Sequence, residues 1–177
     1  MQEGPTREHD NAGKFGSGMT IAAWIIVLAL ATLYFDRFLD QQHNPNQSVD
    51  TIDTKDARLV TLQRNRQGHY VTTGEINGAK VQFLLDTGAT DVSIPEKIAR
   101  ALHLQKGPEV EAITANGVVV VYMTMLDRIQ IGNIVLHDVR ASINPHMDDE
   151  EILLGMTFLK HLEFTQRGDE LILRQTN

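Results

Sequence analysis

The stretch "VQFLLDTGATDVSIP", residues 81 to 95, drives the apolar positions Val81, Phe83, Leu84 and Leu85 into a carboxylate, Asp86, and then relaxes into Thr87, Gly88 and Ala89. A strand that ends in a buried acid must neutralise it, pair it or use it. A small hydroxyl residue and a glycine after the acid, the glycine letting backbones approach closely, are what a water-activating acid pair requires. One carboxylate does not suffice for that chemistry. Two held within hydrogen-bond distance share a single proton, because adjacent like charges in an apolar site do not both ionise; one then acts as base toward water and the other as acid toward a carbonyl. Stripped of its neighbours, Asp86 would read as a structural acid capping a turn, and it is the surrounding pattern that favours chemistry.

Other chemistries find less support. The chain has no cysteine, which excludes disulfides, thiolate metal sites and a cysteine nucleophile and leaves the redox compartment open. His9, His43, His69, His103, His137, His146 and His161 are scattered without ligand spacing, so neither a metal nor another cofactor is expected. With 16 basic residues dispersed among 23 acids and a net charge of −7, no basic stripe exists for nucleic acid. The acidic run "MDDEE" at 147–151 reads as a solvated loop, and Met123, Met125, Met147 and Met156 as core or loop filling.

The elements that must position Asp86 can be read on either side of it. From Arg58, short runs rich in β-branched residues, "RLVTLQR", "HYVTTGEI" and "KVQFLL", are broken at Gln67-Gly68 and at Asn77-Gly78. Asn-Gly between alternating strands is a strong hairpin signal. Pro95 suits a first helical turn, and "PEKIARALHL" places Ile98, Ala101 and Leu102 on one face of a short helix. Strands resume with "EVEAIT", a second Asn-Gly at Asn116-Gly117, "VVVVYMTML", "RIQIG" and "IVLHDVRASI". A helical piece, "MTFLKHL", precedes a last hairpin, "LEFTQRGDELIL", turning at Arg167-Gly168. The pattern predicts an all-β, closed barrel-like domain over residues 58–175 with one or two short helices. A weak internal repeat, in which "FLLDTG" and "EILLGMTFL" each lead from strand to helix, suggests an approximate twofold axis.

Before that domain, the 21 residues from Phe15 to Phe35 carry no charge and are apolar enough to cross a bilayer core of about 30 Å as a helix. The expected organisation is a short tail over 1–18, a single transmembrane signal-anchor helix over 19–39 and a polar tether over 40–57. "ALA" at 29–31 resembles a signal-peptidase site, but the apolar run continues through Phe35, which favours an uncleaved anchor. Arg7 and Lys14 before the helix against Arg37 after it place the N-terminus in the cytoplasm.

Three segments, "FLLDTGATDVSIP" at 83–95, "TANG" at 114–117 and "ILLGMTFL" at 152–159, together resemble the retropepsin-like aspartic proteases, in particular their bacterial membrane-anchored branch. The resemblance covers roughly Arg58 to Leu173. It implies a retropepsin-like fold with Asp86 as catalytic acid, Thr87 hydrogen-bonding across a twofold axis and Gly88 close to the substrate backbone. Ala89 and Thr90 with Ala115, Asn116 and Gly117 of a closing flap would bind substrate, and Leu153, Leu154 and Gly155 would pack under the catalytic loop. With no second Asp-Thr-Gly or Asp-Ser-Gly in the chain, the other acid must come from another copy. The implied protein is a C2 homodimeric endopeptidase, periplasmic in a bacterium and held by the bilayer, that takes extended peptides and needs no cofactor. The rival is a non-catalytic peptide-binding module of the same fold, and an enzyme held latent by its anchor is a further one. Where retroviral relatives carry an acid and an arginine that pair, this chain has Thr90 and Met156.

Overall fold

A computed structural model describes residues 12–114 and 117–176, with side chains from Gly18 onward. The chain divides into two units, residues 1–39 and 40–177. The first is dominated by a helix, α1 (Ala12–His43), whose stretch from Gly18 is long and apolar enough to cross a membrane. At 1.5 Å per residue those residues span about 39 Å, against a hydrocarbon core of about 30 Å. None of that stretch is buried by protein. Its hydroxyl at Thr32 is satisfied internally, donating to Leu28 O at 2.9 Å, as a polar group in an apolar setting requires.

The second unit is built of β1 (Asp50–Asp53), β2 (Ala57–Gln63), β3 (Val71–Ile76), β4 (Ala79–Leu85), β5 (Val92–Pro95), α2 (Glu96–Ala101), β6 (Glu109–Thr114), β7 (Gly117–Ile131), β8 (Ile134–Asn144), β9 (Ile152–Leu154), α3 (Met156–Leu159), β10 (Glu163–Arg167) and β11 (Glu170–Thr176). A seven-stranded sheet runs β3-β4-β9-β5-β8-β7-β6, and β7 pairs back onto β3, so that the sheet curls toward a barrel. A four-stranded sheet, β1-β2-β11-β10, accompanies it. Phe83, Ile94, Ile129, Ile152, Leu154 and Phe158 are fully buried in a core to which both sheets contribute. The sequence repeat has a structural counterpart: β4 and β9 lie side by side in parallel, Phe83 against Ile152, Leu84 against Leu153 and Leu85 against Leu154.

Local departures from the sequence expectations have physical causes. Asn77 and Gly78, both at positive φ, turn β3 into β4 as expected. The last hairpin turns one residue later than expected, through Gly168 and Asp169, because Gly168 supplies the left-handed conformation and Arg167 already pairs with Glu170. "VVVVYMTML" and "RIQIG" form one continuous strand, β7. Pro95 ends β5 and caps α2 rather than entering its first turn, and the helix buries Ala99 while Ala101 faces solvent. Ile98 and Leu102 do pack on the core.

The larger departure is the tether. Helix α1 continues to His43, and the residues after it are part of the domain. Asn44 is 0% and Asn46 3% exposed. The Asn46 amide donates to Gln63 O at 2.9 Å and Val71 O at 2.7 Å, and its oxygen accepts Gln63 N–H at 2.6 Å. Asn44 donates to Thr73 Oγ1 at 3.0 Å, and His43 Nε2 meets Glu151 Oε1 at 2.5 Å. Asn46 thus serves backbone groups of β2 and β3 that lack strand partners there, which a segment that merely spans distance would not do. Asn46→Ala leaves those groups unpaired and is expected to cost about 2 kcal/mol, lowering Tm by about 5 °C. Thermal unfolding of the detergent-solubilised chain checks this, and an unchanged Tm would contradict it.

Candidate active site

Asp86 is placed by the end of a strand pair. The β4–β9 pairing stops at Leu85 and Leu154, and the chain leaves the sheet there. Leu85 N–H donates to Tyr70 O at 3.0 Å and Asp86 N–H to Leu154 O at 3.3 Å, which fixes the backbone beneath the acid. The loop then folds tightly on itself. Gly88 N–H donates to Asp86 Oδ1 at 2.8 Å and Ala89 N–H to Asp86 O at 3.2 Å. A Cβ on Gly88 would lie 3.1 Å from Asp86 Oδ1, tighter than an ordinary contact, so the glycine eases the close approach of the loop to the carboxylate. The acid expected to be buried is half-buried in the single chain, and Thr87, Gly88 and Thr90 are exposed. Sheet cover ends at Leu85, and the triplet stands at the rim.

The loop is sewn to the segment carrying Leu153, Leu154 and Gly155. Ala89 O accepts Met156 N–H at 2.8 Å, Thr90 O accepts Thr157 N–H at 3.0 Å, and Thr157 Oγ1 accepts Val92 N–H at 3.0 Å. Gly155 sits where the two strands of chain cross. An added Cβ there would meet Asp91 O at 2.3 Å and Ala89 O at 2.6 Å, both of them backbone atoms. Leu154 is buried, and Leu153 is half-buried opposite Ser93.

One partner in this region had no signal in the sequence. Beside Thr90 lies an ion pair: Arg140 of β8 donates to Asp91 Oδ1 through Nη2 at 3.0 Å and Nε at 3.3 Å. The pair ties the far end of the Asp86 loop to the sheet. With Arg140 well exposed it contributes at most about 1 kcal/mol.

Strands β6 and β7 form a projecting hairpin in register from Glu109–Tyr122 to Thr114–Gly117. Gly117 enters it at φ 114°, and Ala115 and Asn116 at its tip lie outside the described residues. Ile113 is 90% exposed, and Val118, its cross-strand partner, is exposed as well. The root is anchored more firmly. Gly107 N–H donates to Met123 O at 2.8 Å and Met123 N–H to Pro108 O at 2.9 Å. Lys106 bonds Glu96 Oε1 at 2.7 Å and lies 4.2 Å from the centre of the Tyr122 ring. That hydrogen bond to Lys106 holds the Glu96 carboxyl below the ordinary carboxylate range. An open groove of about 860 Å³ by this root is lined by Leu102, Lys106, Met123, Met125 and Arg140, and Asp86 is not among its walls. Among the described residues no three His, Asp or Glu side chains gather at metal-binding separation.

The fold is retropepsin-like: it matches the crystal structure of a retropepsin-like aspartic protease from Rickettsia conorii with a TM-score of 0.58 and 25% identity, over 73% of this chain and 96% of that one. Residues 72–161 match the family described as gag-polyprotein putative aspartyl protease, and the chain belongs to that family. An uncharacterized protein of Sinorhizobium sp., from the cobV 5′ region, is 34% identical, the match covering 91% of this chain and 75% of that protein.

Gly155→Ala forces the Asp86 loop away from α3 and is expected to destabilise the domain by about 1–3 kcal/mol. Hydrogen exchange at the Met156 and Thr157 amides, whose acceptors must move, is expected to quicken. Unchanged exchange at both amides would show that the crossing tolerates a methyl group.

Proposed function

We propose that this protein is a membrane-anchored aspartic endopeptidase whose active site is completed by two Asp86 carboxylates, one from each of two chains related by a twofold axis. The observation that carries the reading is the Asp86 loop: a half-buried carboxylate at a strand end, bonded by Gly88 N–H and held by Gly155, in a family of aspartyl proteases and a chain with one such triplet. A water between the two carboxylates loses a proton to the ionised one as its oxygen attacks the peptide carbonyl carbon. The protonated partner donates to the carbonyl oxygen. Collapse of the resulting diol breaks the C–N bond, with a proton passing to the leaving amine. No covalent intermediate forms.

Thr87, exposed beside the acid, would bond across the axis and lock the two loops, and Gly88 would lie against the substrate. Ala89 and Thr90 would form the floor of the cleft and Ala115, Asn116 and Gly117 the tip of the flap, with an extended peptide pairing between them as an added strand. Leu153, Leu154 and Gly155 would act as support. The exposed apolar hairpin, Ile113 with Val118, suits a cover that closes on apolar peptide side chains. Residues 19–39 would anchor the chain with 1–18 in the cytoplasm, leaving the protease domain, within residues 58–175, on the periplasmic side. Holding both copies in one membrane raises their effective concentration.

Cleavage of a peptide library by the detergent-solubilised chain, beside Asp86→Asn, tests the reading. Specific cuts are expected, with the substitution lowering their rate about 10²- to 10⁴-fold. Binding of extended peptides without any cut by the unaltered chain would overturn it in favour of a peptide-binding module.

A further inference from the structure

Two arginines stand at the end of the domain where α1 enters it. The turn from β2 to β3 reads "RNRQGH", residues 64–69, and Asn65 is its one buried residue. The Asn65 amide donates to His43 O at 3.0 Å, and its oxygen accepts Gln67 N–H at 3.0 Å and His69 N–H at 2.9 Å. The turn is thereby fastened to the last residue of α1. Arg64 N–H donates to Asp169 O at 2.8 Å, which brings the turn from β10 to β11, with Arg167, to the same end.

The acids around these turns are already engaged. Asp169 pairs with Arg64, Glu170 accepts from the Gln63 amide at 3.0 Å, and Glu151 holds His43. Arg66 and Arg167 are exposed, and among the described residues no carboxylate lies within ion-pair distance of either. Asp36 and Asp40 on α1 stand against Arg37 and these two, so the surplus of positive charge is small. An anion held here is therefore held by contact rather than by a long-range field, which salt screens within about 8 Å at physiological ionic strength. A guanidinium supplies that contact, since its planar fork matches a phosphate in bidentate geometry.

The position of the turns follows from chain length. Leu39 is the last apolar residue of α1, and the four residues from there to His43 rise about 6 Å. The headgroup layer of a bilayer is about 5–8 Å deep on each side. With Leu39 at the edge of the hydrocarbon, His43 lies at the level of the lipid phosphates, and Asn65 holds the arginine turn against it. A flexible tether would let the turns stand clear of the lipid. The bonds of Asn44 and Asn46 to the domain remove that freedom.

We infer that the domain rests on the bilayer through these two turns, Arg66 and Arg167 binding the phosphates of anionic phospholipids in the leaflet that α1 leaves. The inference rests on the membrane-anchored reading above and adds a second hold on the bilayer beside the helix.

The chain has no cysteine and one tryptophan, Trp24, so anchor and surface can be followed separately. The full chain carrying Gln67→Cys or, as control, Gln105→Cys on the loop after α2 is labelled with a fluorophore. Each is reconstituted in phosphatidylcholine vesicles with or without phosphatidylglycerol, and quenching by a headgroup-nitroxide lipid is measured. In the anionic vesicles the Gln67 label is expected to be quenched severalfold more than the Gln105 label. That difference is expected to shrink without phosphatidylglycerol, with Arg66→Gln combined with Arg167→Gln, and in molar salt, where the screening length falls to about 3 Å. Equal quenching at the two positions, or quenching at Gln67 indifferent to phosphatidylglycerol or to the two arginine substitutions, would overturn the inference. Quenching of Trp24 by lipid brominated in its acyl chains reports the anchor alone. A quenched Trp24 with an unquenched Gln67 label would reject this surface and keep the anchor, and an unquenched Trp24 would reject both.

Discussion

The rest of the site depends on a close crossing of backbone at Gly155. The loop that carries Asp86 leaves β4 and returns to β5 over the start of α3, and the contact is so near that no side chain fits between. Because Gly155 has none, Ala89 and Thr90 can give their carbonyls to Met156 and Thr157, and Thr157 can return a bond to Val92. Each of those bonds is worth about 1 kcal/mol taken singly. Together they fix a loop none of whose own residues is buried, the rigidity that proton transfer by Asp86 would require on the proposed reading.

A second constraint follows from arithmetic. Water activation by an acid pair needs two carboxylates, and each chain carries one Asp-Thr-Gly. Asp86 is half-buried, Thr87 exposed and the apolar hairpin uncovered in the single chain, and the proposed pairing of two chains would use all three. On the proposed reading the anchor would bring copies together and the hairpin would close over the peptide. The segment after α1 is bonded into the domain through Asn44 and Asn46. The chain between helix and sheet is therefore shorter than its polar composition suggests.

Much of this was legible in the sequence, and the exceptions share a cause. Asn77-Gly78, the apolar run into Asp86 and the Leu-Leu-Gly of β9 act through local conformation and short apolar periods, which a sequence displays directly. Asn46 reads as solvated because its type is polar. Its role depends on backbone atoms 17 and 25 residues away. Arg140 likewise gains its meaning only where β8 comes to lie beside β5. Ala99 and Ala101 are equally apolar, and which one is buried depends on how a six-residue helix is docked rather than on its periodicity.

The central claim, that one active site draws Asp86 from two chains, is tested most directly by mixing. Unaltered and Asp86→Asn chains are combined over a range of ratios at constant total protein, allowed to exchange partners in a common membrane and assayed for peptide cleavage. If each site needs both acids, activity follows the square of the unaltered fraction, and an equal mixture retains about one quarter of the activity. A linear fall, with about one half retained at equal mixing, would mean that each chain acts alone and would contradict the shared site.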